Sequence, residues 1–204
     1  MDRIYDKLEL PIVSRMVSDI HLRLLVWELE NVLNGKLEGD VVEFGCNVGT
    51  SSVYMQKVLN LLGGEGRKLW CYDSFKGIPS ITEEDKGYFK SGGMAATKDR
   101  FIETFDYCRL PLPEIKEGWF SDFKCEDVPP KICFAFLDCD LYKSTKEALS
   151  LICPNIVVGG KLVFHDSHVP GIQKVILELV TDDSRFGVEW MSSKEHMACI
   201  NRQR

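Results

Sequence analysis

Two short segments carry the groups that can do chemistry. Phe136-Leu137-Asp138-Cys139-Asp140-Leu141-Tyr142 and Gly159-Gly160-Lys161-Leu162-Val163-Phe164-His165-Asp166 are apolar runs that end in side chains able to coordinate a cation or move a proton. In an open α/β sheet, buried parallel strands read as continuous apolar runs, and ligands bind beyond their carboxyl ends. If these runs are neighbouring strands, Asp138, Asp140, His165 and Asp166 converge on one sheet edge. Carboxylates are rarely buried without a partner. Such a cluster calls for a cation, a proton or a substrate.

A second constellation lies nearer the amino terminus. Glu43-Phe44-Gly45-Cys46-Asn47-Val48-Gly49 sits where a first strand turns into a helix opened by Thr50 and Ser51. Glycines let backbone approach a ligand, and a helix amino end offers free N–H groups. The spacing is ExGxxxG rather than the GxGxxG of dinucleotide enzymes, and it leads with an acid. Asp73, closing the second strand, can accept hydrogen bonds from a ribose diol. Taken singly, the glycines could be a tight turn and Asp73 a loop cap. Together they favour a nucleoside-type cofactor, and S-adenosylmethionine suits them better than NAD.

The elements that must position these groups follow from periodicity and punctuation. A helix is expected over 18–34, capped by Ser18 or Asp19 and ended at Asn34-Gly35. A strand over 40–45, a helix from Thr50 to about Leu62 stopping at Gly63-Gly64, and a strand over 68–73 come next. Residues 77–98 are polar and Gly-rich without a steady period, a long loop expected to serve the active site. A helix near 98–108 precedes a proline-punctuated strand leading to Gly118-Trp119-Phe120. Lys131 to Leu137 is the central strand. Ser144-x-x-Glu147 reads as a capping box starting a helix, and Asn155 to Gly160 as a turn into the strand ending at His165. A helix near 170–181 and strands near 186–191 and 196–201 complete the count. Alternating strands and helices give an α/β, Rossmann-like, doubly wound and mostly parallel seven-stranded sheet with an antiparallel edge hairpin.

The chain has 204 residues, enough for one well-buried domain, 1–204. A net charge of -6 argues against a nucleic-acid backbone or an anionic membrane as partner. No apolar stretch approaches the ~20 residues that span a bilayer, and the amino terminus has neither the basic start nor the apolar core of a secretory signal. The eight cysteines form no CxxC pair. Reduced, mostly buried thiols in a cytoplasmic protein are the expectation. The oligomeric state is left open by the sequence, a homo-oligomer included.

VVEFGCNVGTSS, CYDSFKGIPSITEEDKGYFKSGG, GWFSDF, FLDCDLYKSTKEAL and PNIVVGGKLVFHD follow, in order, the pattern of the macrocin O-methyltransferase family, which the chain resembles over roughly residues 18–180. The resemblance implies a magnesium-dependent enzyme that uses S-adenosylmethionine to methylate a hydroxyl of a small-molecule acceptor, a sugar above all. It implies that Glu43, Gly45 and Gly49 line the methionine end of the cofactor, with Cys46, Asn47 and Ser51 in the same loop. It further implies that Asp73 and Ser74 hold the ribose, and that Trp119 and Phe120 lie near the adenine. Asp138 maps to the first metal ligand, and His165 and Asp166 map to a pair of adjacent acids that supply the other two.

The chain departs from that pattern at His165, because imidazole is a softer donor than carboxylate and less suited to magnesium. Manganese, iron or zinc becomes an alternative ion. The family's catalytic histidine belongs to the long loop, and residues 77–98 contain none. Lys86, Lys90 or His168 would then take the hydroxyl proton, or the ion alone would acidify it. Asp140 is expected to orient rather than coordinate, or to cap the following helix. His21 and His196 read as structural. Two other enzyme classes use DxD after an apolar strand. A haloacid dehalogenase-type phosphatase wants Gly-Thr after the nucleophile, and a metal-dependent glycosyltransferase leaves ExGxxxG and Asp73 unexplained. A methyltransferase-like cofactor-binding module without catalysis is the remaining alternative.

Overall fold

The computed structural model describes residues 4–63 and 66–204. Gly64, expected to help stop a helix, lies outside the described residues. In chain order the elements are α1 (Asp19–Asn34), β1 (Asp40–Phe44), α2 (Thr50–Leu62), β2 (Leu69–Asp73), α3 (Lys98–Cys108), β3 (Glu114–Glu117), β4 (Ile132–Leu137), α4 (Tyr142–Ile152), β5 (Ile156–Phe164), α5 (Pro170–Asp182), β6 (Phe186–Ser192) and β7 (Met197–Arg202). They form one sheet in the order β3-β2-β1-β4-β5-β7-β6. The first five strands of that order are parallel, and β7 runs antiparallel to both β5 and β6. The doubly wound sheet with an antiparallel edge hairpin is therefore as expected.

Period-2 alternation in the central strands feeds two cores. Val41, Cys71, Phe134, Phe136 and Val163 pack against α1, α2 and α3. Val42, Tyr72, Ala135, Leu137, Leu162 and Phe164 pack against α4 and α5 on the opposite face. All six residues of β4 are buried, which is why its sequence shows no polar alternation. Each fully buried Phe in that strand contributes roughly 2–3 kcal/mol. Strand order reverses between β1 and β4, so the loops leaving those strands diverge and open a crevice at their carboxyl ends.

Helix α1 is pinned to the sheet by a polar tie. Glu28, fully buried, meets Lys161 of β5 at 2.6 Å and accepts a 2.5 Å hydrogen bond from the Trp190 indole. Ser18 caps α1 by accepting from the His21 N–H.

Two local expectations differ from the structure. Helix α4 starts at Tyr142, with Leu141 at its cap position, so Ser144 lies inside the helix and is buried. The carboxylate of Asp85 takes over the capping role from a distance in sequence, accepting from the Tyr142 N–H. Asn155–Gly160 is not a turn, because β5 begins at Ile156, paired with Ile132. Gly159, at φ 81°, makes an irregularity within the strand instead. All eight cysteines are free, and Cys46, Cys71, Cys133, Cys139 and Cys199 are buried. Among the described residues no helix is long and apolar enough to cross a membrane.

Candidate active site

The strand ends are brought together by backbone hydrogen bonds that run past the strands themselves. Gly45 N–H donates to Tyr72 O, Asp138 N–H to Phe44 O, and His165 N–H to Leu137 O, at 2.9, 2.9 and 3.0 Å. Gly45 must be glycine: at φ 88° a Cβ would stand 2.0 Å from the Asp138 carbonyl oxygen. The left-handed residues Asn47, Asp140 and Asp166 mark the three loops that leave β1, β4 and β5. Short polar side chains tolerate that conformation, and it turns each loop sharply at the crevice.

A cavity of about 870 Å³ opens there. The glycine loop supplies Gly45, Cys46, Asn47 and Ser51 to its wall, and β2 supplies Asp73 and Ser74. Trp119 and Phe120 stand on one side, with Asp138, Asp140, His165, Asp166 and His168 at the other strand ends. The sequence expectations for these residues thus meet in one space. Glu43, Gly49 and Lys90 are not on its wall.

Asp73 organises the loops around itself. One carboxylate oxygen accepts from the Asn47 N–H at 2.8 Å and the other from the Phe75 N–H at 2.7 Å. Burial raises its pKa, and those N–H groups partly offset the rise. Two backbone donors leave lone pairs free on both oxygens. The Asn47 side chain donates in turn to Met94 O at 2.7 Å, tying the glycine loop to the 77–98 loop. That long loop is itself ordered by Ile78 N–H to Gly93 O and Gly92 N–H to Ile78 O.

Glu43 lies behind the glycine loop, fully buried, and accepts from the hydroxyls of Ser51 and Ser52 at the start of α2. Burial pushes its carboxyl up to about 7. It shapes the cavity wall through Ser51 rather than forming that wall. Phe120 packs edge-on against Phe44, which stacks on Tyr72 at 4.4 Å, so the aromatic side of the cavity rests on a rigid base. Tyr142 points elsewhere, its hydroxyl donating to Glu178 on α5.

One oxygen each from Asp138 and Asp166 and one nitrogen of His165 lie within 4.8 Å of one another. Nδ1 of His165 is 3.0 Å from Asp138 and 3.4 Å from Asp166. It is buried and makes no aligned hydrogen bond. Burial disfavours charge on this ring, but the two carboxylates outweigh it and hold its pKa well above the ordinary imidazole range. Asp140 lies outside this trio and caps no helix. Burial, then the charges of Asp138 and Asp166, push its carboxyl strongly up. An orphaned imidazole nitrogen facing two carboxylates fits a divalent cation.

The sequence reading missed the company His165 keeps. Nε2 of His165 lies 2.8 Å from Nδ1 of His21 on α1. His168 stands 3.9 Å from Asp166 and packs its ring 4.0 Å from that of His196. All four histidines of the chain therefore gather at one end of the sheet. No local pattern could disclose this, since His21 and His165 are 144 positions apart.

Comparison with known proteins places the chain by family and fold. The family described as Macrocin-O-methyltransferase (TylF) matches residues 6–183. A 4'-O-methyltransferase of a rhamnosyl-tetracenomycin C from Streptomyces olivaceus is 29% identical over 164 residues, covering 76% of this chain and 63% of the relative. Mycinamicin III 3''-O-methyltransferase of Micromonospora griseorubida is 23% identical, covering 89% and 80% of the two chains. The chain spans 63% and 56% of the length of two of the curated relatives it matches. The solved structure of the O-methyltransferase NovP superposes with a TM-score of 0.80 at 23% identity, covering 93% of this chain and 82% of that one.

Proposed function

The chain belongs to the macrocin O-methyltransferase family, and on that premise we propose that it transfers a methyl group from S-adenosylmethionine to a hydroxyl of a small molecule, a sugar above all. The observation that carries this reading is the convergence of the glycine loop, Asp73 and the Asp138–His165–Asp166 trio on one cavity. When bound, S-adenosylmethionine supplies an electrophilic methyl group on a sulfonium, and a divalent cation supplies Lewis acidity toward the accepting hydroxyl.

The chain's own residues do the rest. Gly45 lets the backbone approach the methionine end, and the free lone pairs of Asp73 accept from the ribose hydroxyls with Ser74 beside them. Cys46, Asn47 and Ser51 continue that wall, while Trp119 and Phe120 bound the adenine. Asp138, His165 and Asp166 hold the cation. His168, on the cavity wall with its side chain 40% exposed, takes the proton of the attacking hydroxyl. Lys90, exposed and off the wall, has no place in that step. The 77–98 loop, which already lines the cavity, shields it from water and so strengthens each of these interactions.

Calorimetry with S-adenosylhomocysteine, alone and with Mn2+ or Mg2+, followed by labelled methyl transfer to a panel of sugars and nucleotide sugars, tests the proposal. Micromolar binding of the product with cation-dependent labelling is expected. Absence of product binding would overturn the methyltransferase reading. Binding without turnover on any acceptor would favour a cofactor-binding module, a reading that the lack of histidine in residues 77–98 supports.

A further inference from the structure

Two groups of side chains in the described residues could gather a cation: Glu28, Glu189 and Cys199, and Asp138, His165 and Asp166. The first already holds one, because Lys161 lies 2.6 Å from Glu28 and 2.8 Å from Glu189. The second has no lysine or arginine. Its unusual member is His165, 6% exposed and fixed on both sides of its ring.

We propose that the Asp138–His165–Asp166 centre takes a divalent transition cation such as Mn2+, Fe2+ or Zn2+ in preference to Mg2+, and that His21 is the positioning residue that presents Nδ1 of His165 to it. The inference rests on the cation-binding part of the reading above. Mg2+ is a hard ion that takes oxygen ligands and keeps its water, whereas imidazole suits the borderline transition metals. His165 cannot withdraw to leave an all-oxygen site, since its ring is buried and its backbone N–H is bonded to Leu137 O.

A ligating imidazole donates its other ring N–H to an acceptor, which fixes tautomer and direction. Here Nε2 of His165 lies 2.8 Å from Nδ1 of His21, with the rings edge-on at 75°, and in the proposed arrangement His21 takes the acceptor role. With Nε2–H directed at His21, a cation between Asp138 and Asp166 would take the place of the proton at Nδ1 and meet its lone pair. A histidine that merely paired with a carboxylate would align an N–H on it, and Nδ1 of His165 aligns on neither.

The test uses the full chain stripped of metal by chelator. Mn2+ affinity is read from the EPR signal of the free ion, and Mg2+ affinity from its competition with Mn2+. The wild type binds Mn2+ more tightly than Mg2+, and the Mn2+-loaded protein shows nitrogen hyperfine modulation in pulsed EPR. His165→Asp loses that modulation and narrows the preference. His21→Ala weakens Mn2+ binding about 10–100-fold, and His21→Asn, which keeps an acceptor near the Nδ1 position, restores much of it. The melting temperature of each metal-free variant checks that the fold is intact.

Equal affinity for Mn2+ and Mg2+, or no nitrogen modulation, would overturn the selectivity. Unchanged Mn2+ binding in a folded His21→Ala would overturn the positioning role, and no cation binding at all would overturn both. Loss of S-adenosylhomocysteine binding with Mn2+ binding intact would remove the methyltransferase reading alone and leave this inference standing.

Discussion

The carboxylate of Asp85, buried in the middle of the 77–98 loop, accepts a 2.8 Å hydrogen bond from the backbone N–H of Tyr142, the first residue of α4. The first N–H groups of a helix have no partner within it, and an acid at that end is favoured by the helix dipole. Thr82 donates to the other oxygen at 3.0 Å. Gly171 leaves the room: a Cβ there would stand 2.3 Å from the Asp85 carboxylate. The loop that covers the cavity is thereby latched to the element that follows Asp138.

Asp85→Ala removes the latch and strands the Tyr142 N–H. A loss of about 1–3 kcal/mol in urea unfolding is expected, together with faster proteolytic nicking within residues 77–98. Unchanged nicking would show that the loop is held by its other contacts.

Asp73→Asn leaves only one oxygen for the two N–H groups of Asn47 and Phe75. The amide nitrogen then faces a backbone donor. Charged hydrogen bonds are worth about 1.5–3 kcal/mol, so S-adenosylhomocysteine binding by calorimetry should weaken roughly 10–100-fold. An unaltered affinity would place the ribose elsewhere in the cavity.

Glu43 makes stability depend on pH. Its carboxyl titrates at about 7 when folded, because it is buried, against about 4.5 when exposed. Between those values the native state keeps a proton that the unfolded chain has released, so stability falls as pH rises and levels off above about 7. The full effect amounts to about 3 kcal/mol. Glu43→Gln should flatten this part of the profile, measured as the change in urea midpoint from about pH 5 to pH 8. A wild-type slope in the variant would assign the effect to other acids.

Lys161→Met leaves Glu28 buried beside Trp190 without its cation. Breaking one partner of a buried pair costs about 3–5 kcal/mol. The double variant with Glu28→Gln should recover much of that loss, because it removes the unpaired charge. A single variant as stable as wild type would mean that Glu28 takes up a proton at little cost.

Much of the fold was legible because burial imposes a local signature. A strand covered on both faces, such as Ile132–Leu137, has to be apolar throughout, and the acid that ends it marks where the covering stops. Helix α1 announced itself through Ser18 and Gly35. The start of α4 has no local signature because its first N–H, that of Tyr142, is satisfied by Asp85, 57 positions upstream, rather than by Ser144 nearby.

The same division holds at the site. The chain's order of residues by itself determined the alternating elements, the glycine turn at Gly45, and the acids Asp73, Asp138 and Asp166 at strand ends, because strand length, turn chemistry and the exposure of strand termini are local matters. Only the tertiary structure decided which groups face one another. It put Glu43 behind the cavity wall and Lys90 off it, and it set His21 against His165. Such meetings depend on how α1 lies across the sheet, a packing outcome written in the Glu28–Lys161 tie and the apolar face of the helix rather than in any short motif.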